Sequence, residues 1–144
     1  MIKIAIVGTG GIAEWHASAF KNHKDSEVIA ACDVNDDRLN EFCNKFQIEK
    51  RYNSVDELLE NNEIDAVTNT TPDAFHKEIS IKAIKKNKHI FCEKPLAENY
   101  NDAKLMCEAL EGKNLINMVN FSYRNSSGYQ ELCEMVRSGK IGNV

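Results

Sequence analysis

The sequence predicts an α/β protein: a doubly wound parallel sheet in three layers, with helices on both faces. Strand-like apolar runs and segments of helical period alternate about six times along the 144 residues. The connections between them are short, and there are no repeats or low-complexity stretches. Such alternation requires right-handed crossovers, which place helices on both sides of the sheet.

Each element follows in chain order. "IKIAIVG" (Ile2 to Gly8) is an apolar strand, and "GIAEWHASAFKN" is the helix after it. On that helix Ile12, Trp15, His16 and Ala19 share a spacing suited to a buried face, so His16 is expected to be partly buried and hydrogen-bonded rather than a substrate ligand. "EVIAACD" (Glu27 to Asp33) is the second strand. Leu39, Phe42, Cys43 and Phe46 fall at i, i+3, i+4 and i+7, one face of the second helix. "KRYN" is a short edge strand, and "SVDELLEN" opens a helix with a serine cap and an acidic first turn. "DAVTNTT" (Asp65 to Thr71) is a strand broken by Pro72, followed by the lysine-rich helix "DAFHKEISIKAIKKN". "HIFCEKPLA" carries the next strand. A helix with Ala103, Met106, Cys107 and Leu110 on one stripe leads to the last strand, "LINMVNF". Tyr129, Leu132, Cys133 and Val136 then form a final helical stripe.

Composition narrows the function. The chain is 42% hydrophobic and 28% charged, with a formal net charge of −4 and both signs interspersed. A nucleic-acid binder would show a basic face. No apolar run approaches the ~20 residues of a membrane span, and the N-terminus starts as a strand, without the layout of a signal peptide. Five cysteines, odd in number, form no CxxC and no Cys/His cluster. Four sit at periodic apolar positions, so buried free thiols in a reducing cytoplasm are expected, and no metal site.

In a sheet of this kind ligands bind beyond the carboxyl ends of the strands. The first such end reads Gly8-Thr9-Gly10-Gly11-Ile12-Ala13, a G-x-G-x-x-A pattern between strand and helix. Gly8 allows the tight turn, Gly10 lets the backbone approach a pyrophosphate, and Ala13 lets helix and strand pack closely. The helix N-terminus offers free N–H groups to phosphates. Asp33, 20 residues after Ala13, ends the second strand, where a carboxylate bonds an adenosine ribose and repels a 2′-phosphate. NAD is therefore expected over NADP, with Arg38 nearby keeping NADP open. S-adenosylmethionine enzymes use a similar loop and acid, but they need no lysine at the end of a later strand.

Glu93-Lys94-Pro95 supplies such a lysine. With "GTGGIA", "NTTPDAFH", "EKPLA" and "GKIGNV" together, essentially the whole chain resembles the N-terminal half of the Gfo/Idh/MocA oxidoreductases, the family of glucose–fructose oxidoreductase and inositol dehydrogenase. The resemblance implies a Rossmann-type domain over residues 1–122, with strand order 3-2-1-4-5-6. Residues 123–144 would form a helix and linker into an open-sheet substrate domain that these residues do not contain. It implies hydride transfer between NAD(P) and a carbinol or carbonyl carbon of a sugar or polyol. The missing domain would supply a catalytic histidine and the oligomer interface, so the 144 residues alone would be inactive.

Carried over by motif, Lys94 is the catalytic residue, beside the nicotinamide and the substrate hydroxyl. From the residues themselves, Glu93 orients Lys94 or bonds backbone, and Pro95 fixes the turn, where a cis Lys94–Pro95 bond can be accommodated although only ~5% of X–Pro bonds in folded proteins are cis. Thr71, Pro72 and His76 match a Thr-Pro-Asn-x-x-His pattern lining the cofactor groove, with Asp73 in place of the asparagine, and Thr70 beside them joins the expected cofactor contacts. Arg124 matches an arginine after the last strand, although Asn125 and Ser127 stand where an aromatic residue and a proline are usual. Gly8, Thr9, Gly10, Gly11, Ile12 and Asp33, with Glu93 and Lys94 themselves, complete the expected cofactor set. Two alternatives remain: a non-catalytic dinucleotide-binding or regulatory module, and an S-adenosylmethionine-dependent transferase.

Overall fold

A computed structural model of the chain describes residues 1–143. Six strands form one all-parallel sheet in the order β3-β2-β1-β4-β5-β6, as the sequence predicts. The strands are β1 (Ile2–Val7), β2 (Ser26–Cys32), β3 (Lys50–Tyr52), β4 (Ala66–Asn69), β5 (His89–Glu93) and β6 (Asn117–Asn120). The helices are α1 (Gly11–Lys21), α2 (Asp36–Phe46), α3 (Val55–Leu59), α4 (His76–Lys85), α5 (Tyr100–Glu108) and α6 (Ser127–Arg137). Short 3-10 turns precede α4 and α6.

The alternation of β1 explains the layers. Ala5 and Val7 enter one core with Cys32, Leu58, Val67 and Ile84, under α3 and α4. Ile6 enters the other with Ala17, Leu39, Phe42 and Cys43, under α1 and α2. A strand buried on both faces must be apolar throughout, which is why β1 reads as a continuous run rather than an alternation. The winding reverses between β1 and β4, which pair Ile4 with Ala66 and Val7 with Asn69. The crevice opens there.

The amino-terminal edge of the sheet is closed by polar ties. The Lys3 N–H donates to Asp65 Oδ2 at 2.8 Å. Lys88, only 7% exposed, donates its ammonium to the Ile64 carbonyl at 2.7 Å and the Asn61 carbonyl at 3.2 Å. Burial pulls its pKa below the usual lysine range.

Several predicted stripes shift. On α1 the buried residues are Ala13, His16 and Ala17, whereas Trp15 and Ile12 are exposed. The helix rolls so that its smallest residues meet the sheet, β2 above all, as close helix–strand packing demands. On α5 only Met106 is buried, and Cys107 is exposed. Three cysteines, Cys32, Cys43 and Cys92, are buried, not four. Tyr129, Leu132 and Val136 of α6 lie 41–49% exposed, because α6 rests on the turn before it rather than on the sheet.

Candidate functional site

Gly8 begins the site. Its φ of +88° is a region that side chains avoid, and a Cβ there would lie 2.9 Å from the Thr71 nitrogen and 3.0 Å from the Thr70 carbonyl. Thr70 seals the turn, its hydroxyl donating to the Val7 and Gly8 carbonyls at 3.0 and 2.7 Å. Gly10 and Gly11, by contrast, face open space: a Cβ on either would meet nothing within 4 Å. Gly10 caps α1 without a side-chain hydrogen bond, while α2, α3, α5 and α6 are capped by Asn35, Ser54, Asn99 and Ser126. The first N–H groups of α1 thus point into a space kept clear of side chains, the arrangement a pyrophosphate requires.

Asp33 stands at the next strand end, 8% exposed. Its Oδ2 accepts from the Thr9 N–H at 2.8 Å and the Thr9 hydroxyl at 2.9 Å. Its Oδ1 accepts from the Asn35 N–H at 2.9 Å and from Arg38 Nη2 at 3.0 Å. Burial works to raise its pKa, but these four bonds outweigh it and hold the carboxyl below the usual aspartate range. All four lone-pair directions are filled. A ribose hydroxyl would displace the Arg38 guanidinium, the one donor on a long, exposed side chain.

Glu93 forms the centre of a buried cluster. Its Oε1 accepts from His16 Nε2 at 2.7 Å and from Asn120 Nδ2 at 2.6 Å. Its Oε2 accepts from the Lys94 N–H at 3.1 Å. His16 Nδ1 lies 3.1 Å from the Thr68 hydroxyl, and the ring stacks at a tilt on Phe91. Burial raises the Glu93 pKa, and the bonds from Asn120, His16 and the Lys94 N–H more than reverse that, so the carboxylate is held ionised. With its oxygens occupied and 5% exposure, Glu93 orients its neighbours and has little surface to offer a ligand. His16 is bonded, as expected, and more fully buried than its partly buried expectation.

The Lys94–Pro95 bond is cis. Lys94 is exposed and lines a cavity of about 700 Å3 with Phe121, Ser122, Tyr123 and Arg124. Arg124 therefore opens on the same space as Lys94. Ile12 faces a separate, mainly apolar cavity between α1 and β6, shared with Trp15 and Phe91. Thr71 donates its hydroxyl to Asn69 Oδ1 at 2.7 Å, and Pro72 is exposed at the rim. His76 is 1% exposed, with both ring nitrogens against backbone carbonyls, so neither nitrogen is free for a ligand. No group of three or more metal-ligating side chains occurs among the described residues.

Sequence reasoning missed Thr68, Asn69 and Asn120. Each is a polar residue inside a strand, and that was the available signal: buried polar groups in strands need partners. The register pairs Glu93 with Asn120, which brings the two side chains together.

A glycine turn, an uncapped helix N-terminus and an acid at the next strand end define a dinucleotide-binding domain of the Rossmann type. Comparison with known proteins gives the family. Residues 2–121 match the family model described as "Oxidoreductase family, NAD-binding Rossmann fold", and the chain belongs to this Gfo/Idh/MocA family as its NAD-binding domain. It is 36% identical to myo-inositol 2-dehydrogenase of Thermotoga maritima over 141 residues, covering 98% of this chain and 42% of that protein. It is 33% identical to glucose-6-phosphate 3-dehydrogenase of Bacillus subtilis, covering all of this chain and 40% of that protein. Scyllo-inositol dehydrogenase from Lactobacillus casei, solved with NAD(H) and scyllo-inositol, superimposes with a TM-score of 0.91 at 27% identity, over 99% of this chain and 43% of that one. The chain thus spans about two fifths of the length of these relatives.

Proposed function

We propose that these residues are the cofactor half of an NAD-dependent oxidoreductase acting on a carbinol or carbonyl carbon of a sugar or polyol. The observation that carries the proposal is spatial. Gly8 to Ile12, Asp33, Thr70 to Pro72, Glu93-Lys94 and Arg124 all gather at the carboxyl edge of one sheet, Lys94 and Arg124 on a shared cavity. Relatives named for inositol and glucose 6-phosphate support the substrate class.

In this reading the Gly10–Ile12 turn and the α1 N-terminus hold the pyrophosphate, and Asp33 takes the adenosine ribose as Arg38 swings aside. Thr71 and Pro72 line the groove. The bound nicotinamide supplies the hydride acceptor. Lys94 places its ammonium against the reacting oxygen, where it stabilises alkoxide character or passes on a proton. Glu93 fixes the backbone from which Lys94 projects. Residues 1–122 constitute the cofactor domain, and residues 123–144 lead into a second domain that completes the catalytic set and the oligomer, in a cytoplasmic enzyme. The isolated 144 residues are expected to bind NAD and to turn over no polyol.

Calorimetry on the chain with NAD and with NADP tests the cofactor half. NAD is expected to bind more tightly, and tighter NADP binding would show Arg38, not Asp33, setting the preference. Binding of neither would sink the proposal. In the full-length enzyme Lys94→Ala is expected to lower kcat by about 100-fold or more, with NAD affinity changed less than about threefold. Equal losses in both would make Lys94 a cofactor ligand only.

A further inference from the structure

Two buried histidines at this edge have different partners, and the partners set the protonation that each ring requires. A neutral imidazole offers one N–H donor and one lone pair. His16 meets the Glu93 carboxylate, the Thr68 hydroxyl and, 3.3 Å from Nε2, the Asn120 amide nitrogen. Its ring thus has an acceptor on the Nε2 side and a hydroxyl able to donate on the Nδ1 side, which a neutral imidazole can serve.

His76 meets two acceptors. Its Nδ1 lies 2.7 Å from the Pro95 carbonyl oxygen, and its Nε2 lies 2.8 Å from the Thr71 carbonyl oxygen. Neither oxygen can donate. A neutral ring would press a lone pair against a carbonyl oxygen in a site with 1% exposure. A ring protonated on both nitrogens donates to both.

The two carbonyls belong to the loops after β4 and β5. One carries Thr71 and Pro72, and the other carries Lys94. We propose that His76 is a positioning residue, an imidazolium that clasps these loops and so sets the spacing between the groove wall and Lys94. The inference rests on the NAD-binding reading of that groove.

The charged groups around it leave the carbonyls as its main support. Asp73 and Glu78, on its own segment, are carboxylates, and Lys77 pairs with Asp102 of α5 at 2.8 Å. Lys104 and Glu108 of α5 pair with each other. On β5, Glu93 is taken up by His16 and Asn120, and the Cys92 thiol is pushed up to about 11 by burial and stays neutral, while Lys94 follows in the loop. Glu98 lies exposed in the loop beyond. Of the α3 acids, Asp56 and Glu60 pair with Lys82 and Lys86 at the far end of α4, and Glu57 lies on the same helix. The α4 N-terminus itself opposes a positive ring.

The ring state is read directly by nitrogen-15 NMR of the imidazole groups, with His76→Gln supplying the assignment. His76 is expected to carry protons on both nitrogens at neutral pH without ligand. NAD affinity of the wild-type chain is expected to fall about tenfold between about pH 6 and about pH 9, across the range where histidines lose their proton. The His76→Gln variant, which cannot titrate, is expected to show a flat profile. A singly protonated His76 at neutral pH overturns the proposal even if the variant fails to fold. An equal pH dependence in both proteins also overturns it. No NAD binding at any pH, with the ring doubly protonated, would instead overturn the cofactor reading beneath it.

Discussion

Replacing Gly8 with alanine is expected to cost about 3 kcal/mol of stability or more, and to abolish NAD binding. The left-handed backbone alone costs an L-residue about 1–2 kcal/mol. The new methyl would also lie 2.9 Å from the Thr71 nitrogen and 3.0 Å from the Thr70 carbonyl, backbone atoms that cannot rotate away. Relief would require β1 and β4 to separate at the point where Thr70 bonds Val7 and Gly8. Against a typical total of about 5–15 kcal/mol the loss is large, and urea denaturation measures it. Gly10→Ala is the contrasting variant. Its φ of −76° suits alanine and its Cβ meets nothing, so stability should change by about 1 kcal/mol at most. NAD affinity should nonetheless fall at least about tenfold, because the methyl would occupy the space where the pyrophosphate approaches. A Gly10→Ala chain that binds NAD normally would remove the phosphates from this turn.

The second large effect is expected at Glu93. Truncation to alanine leaves His16, Asn120 and the Lys94 N–H without their acceptor in a site almost closed to water. Breaking a buried pair of this kind costs about 3–5 kcal/mol. Glu93→Gln keeps the shape and should cost less. Its pH dependence is the sharper readout. The folded carboxyl titrates below the ordinary glutamate range, so the unfolded chain binds its proton first as the pH falls. The stabilisation is therefore fully present above about pH 4.3, the unfolded value, and is lost as pH drops through the lower folded value. Wild-type stability should decline steeply on acidification below about pH 4, and Glu93→Gln should decline less steeply. The slope will not vanish, because Asp33 shifts in the same direction. Identical acid profiles for the two proteins would show that the Glu93 charge contributes nothing to the fold.

What could be read from the sequence was what depends on neighbours along the chain. The glycine turn, the ribose acid and the strand leading to Lys94 follow from local spacing, and the parallel sheet follows from handedness and short connections, whereas its strand order came from the family resemblance. Helix orientation was less accessible. The Ile12 and Trp15 stripe on α1 looks apolar, yet Ala13 and Ala17 face the sheet, since only small residues let α1 approach it closely. The stripe on α6 is correctly apolar but lies uncovered among the described residues. Partners across the sheet were the hardest to foresee. Nothing local to "EKP" indicates that His16 and Asn120, 77 and 27 residues away, share one carboxylate oxygen. His76 was read as part of the groove because it follows Thr71 and Pro72; its burial under Pro95 depends on where the β5 loop turns.

The Lys88 and Lys3 ties at the opposite end of the strands have a consequence for how such a protein can diversify. They join β1, β4 and β5 through backbone carbonyls and Asp65, and involve no residue of the crevice. Substitutions in the loops at the carboxyl edge can therefore accumulate without loosening the opposite rim. The end of the scaffold that holds the strands together is thus separate from the end that meets the ligand.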